Sequence, residues 1–122
     1  MLGLPGDFTS PSRFVRAAFY QTTAPVLPTV FETVIQAFHI LNNFDIPVGV
    51  ESAKDKIPEG LPSATQVTIS TDQANRKFYY RTAWNSTIRC IDLGSIDFCT
   101  IKYQSEPLDK VRMQPVEMVR PE

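Results

Sequence analysis

Histidine and cysteine are scarce in this sequence: one histidine and two cysteines among 122 residues. Two cysteines, Cys90 and Cys99, are too few for a disulfide framework, and their spacing fits no common zinc site. No metal or other cofactor is therefore expected. Basic excess is also missing. A formal net charge of -1 argues against a nucleic-acid or other polyanionic partner. No run approaches the roughly 18 apolar residues that cross a bilayer, so no membrane partner is expected. The first residues, MLGLPGDF, lack the basic region and apolar core of a signal peptide, and the compartment stays open between periplasm and cytoplasm. Internal repeats and low-complexity segments are absent too.

What is present fits one small domain and not two. The hydrophobic share of 43% is that of a globular chain, and ten prolines fall mostly outside the periodic segments, where they act as punctuation. Gly3, Pro5 and Gly6 suit a turn with special backbone angles. Ser10 can cap a helix, with Pro11 at its first position, where no amide partner is needed. Phe14, Ala17 and Ala18, with Val15 and Phe19 alongside, give that helix a broad apolar face to about Gln21. Thr22 to Pro28 breaks it.

A second helix is predicted more sharply. Thr29 and Glu32 have capping-box spacing, and Val30, Val34, Phe38 and Leu41 form a stripe. Asn42 and Asn43 suit a left-handed helix end, and Pro47 prevents continuation. The short connection favours two neighbouring, roughly antiparallel helices. Residues 47–64 read as a long charged loop, either a solvated connection or a functional segment. Three strands are then expected: Gln66 to Thr71, Lys77 to Trp84 and Thr87 to Leu93, with turns at Asp72 to Arg76 and Asn85-Ser86. Phe78, Tyr80 and Trp84 face one side of the middle strand and Tyr79 the other. A sheet apolar on both faces is a sheet covered on both sides. Two helices can cover one of them, and a free monomer should not display the other.

Three blocks, GLPGDFTSPSRFVRAAF, ETVIQAFHILNNFDIPVG and KFYYRTAWNSTIRCIDL, resemble the choloylglycine hydrolase family, which includes bile salt hydrolases and penicillin V acylases. The resemblance spans about residues 3 to 93 in the family's order and covers only its C-terminal part. It implies an α+β fold, part of an αββα N-terminal-nucleophile hydrolase sandwich, with 1–122 as a single partial domain. It also implies hydrolysis of a linear amide C–N bond in a small-molecule substrate, by an N-terminal cysteine whose own α-amino group is the base. A homo-oligomeric complete enzyme is implied as well. The cysteine belongs to the portion that this chain does not resemble, so the chain is expected to be inactive alone.

One position of the family's active-site set is carried over, the arginine of the SRF motif, Arg13, as a fixed positive charge near the nucleophile. On the residues alone, Arg13 reads as a solvated helix residue. Arg16 reads as structural, through a carboxylate or solvent, and Asp7 as holding the turn through local hydrogen bonds. Cys90 and Cys99 read as buried structural cysteines, and His39 as a helix-surface or satisfied core residue. Asn85-Ser86-Thr87 matches a glycosylation sequon but reads as a hairpin turn. Two alternatives come from another class: a stand-alone interaction module using an exposed sheet face, or a complementing chain that assembles with a separate N-terminal half.

Overall fold

The computed structural model describes residues 3–50, 56, 59 and 64–121. The chain divides into two compact units, Met1–Thr65 and Gln66–Glu122. The first is helical and the second is a sheet, so the α+β order of helices followed by a strand meander is as expected.

In the first unit, α1 spans Ser10–Thr23 and α2 spans Val30–Leu41. Helix α1 starts one residue earlier than expected. Its N-cap is Thr9, whose side chain makes no capping bond, and Ser10 lies inside the helix. The Thr9 hydroxyl is committed instead to Asp7. Helix α2 has the full capping box: Thr29 Oγ1 accepts from the Glu32 amide at 3.1 Å, and the Thr29 amide donates to Glu32 Oε2 at 3.1 Å. Two amides that have no partner within the helix are thereby satisfied.

The end of α2 departs from the left-handed stop expected of Asn42 and Asn43. Asn42 keeps right-handed helical angles, φ -56° and ψ -28°, and the chain tightens into a 3-10 turn over Asn42–Phe44. The reason lies in the Asn43 side chain, whose amide donates to the carbonyls of His39 at 3.2 Å and Ile40 at 3.1 Å. Those carbonyls would otherwise call for a left-handed cap. The two helices also do not pack along their length, as the short connection had suggested. Helix α1 is met by side chains of the turn that follows α2.

Two bonds close the first unit. The Thr65 amide donates to the Ile46 carbonyl at 3.0 Å, and the Ile46 amide donates to Thr65 Oγ1 at 2.9 Å. The predicted long loop hangs between these residues, and most of it lies outside the described residues.

In the second unit β1 (Val67–Asp72), β2 (Lys77–Thr82) and β3 (Arg89–Asp92) form an antiparallel sheet in the order β1-β2-β3. The register pairs Ile69 with Tyr80 and Tyr79 with Cys90. The turn after β1 closes on Arg76, at a left-handed φ of 55°, and Asp72 receives the Asn75 amide at 3.0 Å. Strand β2 stops at Thr82, short of Trp84. The Thr82 and Asn85 backbones bond each other, and Asn85 Oδ1 accepts from the Thr87 amide at 2.9 Å, so a wider loop replaces the two-residue turn.

Apolar side chains are placed mostly outward. Phe38, 3% exposed, is the one buried apolar side chain among the described residues, whereas Phe14 and Phe31 are 74% and 75% exposed. The broad apolar face expected on α1 exists, but it is not a core. Apolar side chains exposed in this way mark a surface for contact or self-association.

Replacing Thr29 with Ala should cost about 1 kcal/mol, read as a lower urea midpoint by circular dichroism at 222 nm. The purified chain should also bind an apolar dye such as ANS and self-associate. A monodisperse monomer without dye binding would contradict the exposure described.

Candidate functional site

The site is built on a buried arginine. Gly3 takes φ +94°, an angle open to glycine, at the start of the opening turn. From α1, Arg16 Nη1 donates to the carbonyls of Pro5 at 2.9 Å and Asp7 at 2.8 Å. Its residue exposure is only 6%. The structural role expected of Arg16 holds, but its partners are two backbone carbonyls rather than a carboxylate or solvent. The Arg16 Nε has no partner among the described residues.

Asp7 holds the same turn from the solvent side, as its local hydrogen-bonding role anticipated. Its Oδ1 accepts from the Thr9 hydroxyl and from the Thr9 amide at 2.8 Å, and Ser12 Oγ stands 3.1 Å from Thr9 Oγ1. These donors hold the Asp7 carboxyl below its ordinary 3.8, the Thr9 hydroxyl most, then the Thr9 amide and Ser12, with the Arg16 charge a smaller contribution.

Above the turn, Arg13, Arg16 and Tyr20 lie on one stripe of α1 at helical spacing. All three meet Phe44. The guanidinium carbons of Arg13 and Arg16 stand 5.9 and 5.5 Å from the centre of its ring. Tyr20 packs edge-on against it at 6.4 Å, and the Tyr20 hydroxyl donates to Asn43 Oδ1 at 3.0 Å. Attraction of this kind follows from the negative face of an aromatic ring and holds to about 6 Å.

The two arginines differ in one respect that bears on function. Arg16 is buried and its Nη1 is spent on two carbonyls. Arg13 is half-buried, and among the described residues its guanidinium makes no hydrogen bond or ion pair. Its donors are uncommitted there, and the ring of Phe44 fixes where they lie.

The sequence reading missed Phe44, Asn43 and Tyr20. The spacing of Arg13, Arg16 and Tyr20 was a signal that could have found the stripe. Phe44 carried none, because it stands past the last periodic residue of α2.

The cysteines are a correction. Both are exposed free thiols, not buried ones. Cys90 lies on β3, an outer strand of the sheet, and Cys99 in a turn, and both are exposed there. His39 is exposed on the last turn of α2, as one of its two readings had it. No cluster of His, Cys, Asp and Glu suited to a metal occurs among the described residues.

A groove of about 560 Å³ in the second unit is lined by Tyr80, Asn85, Arg89, Ile91 and residues 106–111. Its charges are already spent on one another. Arg89 Nη1 pairs with Asp109 Oδ1 at 2.6 Å and donates to the Leu108 carbonyl at 2.9 Å, while its guanidinium carbon sits 4.6 Å from the Tyr80 ring centre. The Thr82 hydroxyl most, and Arg89 beside it, hold the Asp109 carboxyl below its ordinary value. This is a latch that fastens residues 108–109 to the sheet, and it leaves the buried Arg89 Nε without a hydrogen-bond partner among the described residues.

Comparisons with known proteins bear on the family and on the fold. Residues 1–119 match the family described as linear amide C–N hydrolases, choloylglycine hydrolase family. A bile salt hydrolase/transferase of Lactiplantibacillus plantarum is 36% identical over 107 residues, which is 88% of this chain and 32% of that protein. An uncharacterized protein of Paramecium bursaria Chlorella virus 1 is 57% identical over 49 residues, 40% of this chain and 18% of its own length. The crystal structure of a mutant conjugated bile acid hydrolase from Clostridium perfringens superposes with a TM-score of 0.70 at 26% identity, over 98% of this chain and 34% of that one. The chain thus spans about a third of the bile salt hydrolase it matches and less of the viral protein.

Arg16→Met keeps the apolar stem and removes both carbonyl bonds. It should cost about 2 kcal/mol or more and speed hydrogen exchange at the amides of residues 6–9. The Asp7 contribution has a definite sign. A carboxyl held below its ordinary 3.8 contributes fully above that pH and loses the contribution as pH falls through its lower folded value. Protection of the Thr9 amide should fall on that acid limb, and Asp7→Asn should remove the dependence.

Proposed function

Because the chain belongs to the linear amide C–N hydrolases of the choloylglycine hydrolase family, we propose that it forms the C-terminal third of an enzyme that hydrolyses a linear amide. In this reading the nucleophilic cysteine belongs to the preceding portion of the complete enzyme. The observation that carries this reading is the family match across residues 1–119. The exposed apolar surface supports it, since a chain covering 32–34% of its relatives leaves faces that the remainder of such an enzyme would cover.

In the complete enzyme the cysteine thiol gives its proton to the α-amino group of the same residue and attacks the amide carbonyl. The amine leaves with a proton, and water then releases the acyl group from sulfur. Arg13 supplies a fixed positive charge that favours the thiolate. The uncommitted donors of Arg13 support this assignment, because an arginine already saturated with protein partners would have less to offer a reacting site. Conjugated bile salts are the first substrates to try, given the names of the relatives; penicillin V and acyl-homoserine lactones follow. The complete enzyme is a homo-oligomer in this reading.

The purified 122-residue chain should show no turnover of conjugated bile salts or penicillin V. Fused behind the preceding portion of the Lactiplantibacillus plantarum enzyme, it should yield an active hydrolase. Arg13→Ala in that fusion should lower kcat/KM about ten- to hundredfold, the scale of one to two pKa units on the nucleophile. Robust turnover by the chain alone would overturn the proposal.

A further inference from the structure

We propose that Phe44 is the positioning residue for Arg13, and that the C-terminal end of α2 thereby sets where the active-site charge lies. This rests on the reading of Arg13 given above and deepens it. Three observations carry it. Among the described residues the Arg13 guanidinium makes no hydrogen bond or ion pair, and its carbon stands 5.9 Å from the centre of the Phe44 ring. The ring is fixed in turn, with Tyr20 edge-on at an interplanar angle of 84°. The backbone that carries it is fixed as well: Asn43 accepts from the Tyr20 hydroxyl and donates to the carbonyls of His39 and Ile40. A chain of contacts therefore runs from the last turn of α2 through Asn43 and Phe44 to a cation on α1. Long side chains lose rotamer freedom only when something holds them, and an exposed arginine without a partner would sample many positions. A ring face holds the cation while leaving its N–H donors free, which a carboxylate partner would not do.

Arg16 shares the ring, so a merely structural role must be separated from a positioning one. In the fused hydrolase, Phe44 is replaced by leucine and, to preserve shape, by 3,4,5-trifluorophenylalanine, which cancels most of the ring's negative face. Both should lower kcat/KM about two- to fivefold. Both should also move its acid limb to higher pH, because a displaced cation favours the thiolate less. Phe44→Tyr should restore both. In an Arg13→Ala background the same replacements should no longer move the acid limb. The rate of thiol alkylation against pH reads the same shift without turnover, and the fluorinated ring keeps the test open should the leucine variant fail to fold.

An acid limb unmoved by either replacement, while Arg13→Ala moves it, overturns the role of Phe44 and leaves Arg13 standing. A limb moved equally in the Arg13→Ala background assigns the effect to general loosening and also overturns it. If Arg13→Ala itself changes neither rate nor limb, the functional reading of Arg13 falls and the role of Phe44 with it.

Discussion

A guanidinium taken out of water must be compensated, and the first unit is arranged around compensating Arg16. Transfer of an unpartnered charge to a protein interior is prohibitive, yet among the described residues no carboxylate pairs directly with this one. Two turn carbonyls, an aromatic face and the nearby charge of Asp7 replace the lost water. They come from two places in the sequence: the opening turn with its Asp7, and the residue three past the end of α2. One side chain thus links segments that otherwise touch little, and Arg13, three residues before it on the same stripe, inherits the setting.

Hydrophobic burial plays a smaller part in these two units than in an ordinary domain. Apolar stripes form on both helices and the sheet is rich in aromatics, yet Phe38 alone is fully enclosed among the described residues. Polar contacts hold each unit internally: the capping box of α2, the Asn43 amide on the α2 carbonyls, and the longer-range Arg89–Asp109 latch. The apolar faces are left for contacts of another kind. That division agrees with a chain matching about a third of the length of its hydrolase relatives.

Local signals were the legible ones. The Thr29 to Glu32 spacing gave the start of α2 and its capping box, and strand alternation with turn residues gave the three-strand meander. The structural roles of Arg16 and Asp7 could also be read, although the partners of Arg16 proved to be turn carbonyls and not a carboxylate or solvent. Misreadings came where a side chain displaced a backbone preference. Asn43 was assigned a left-handed cap on its own propensity, but its amide reached the carbonyls that such a cap would have satisfied. The cysteines were placed inside because cysteine usually is, but Cys90 stands exposed on an outer strand and Cys99 in an exposed turn. Phe44 was illegible because its significance depends on a helix more than twenty residues earlier, and no local pattern reports that distance.

The paired bonds between Ile46 and Thr65 carry one more consequence. Ile46 and Thr65 are nineteen residues apart, so the two bonds close a loop, and closing it costs chain entropy. That cost grows slowly with length, by about 0.6 kcal/mol for each doubling. The number of residues between the two anchors therefore bears on the closure far less than the anchors themselves do.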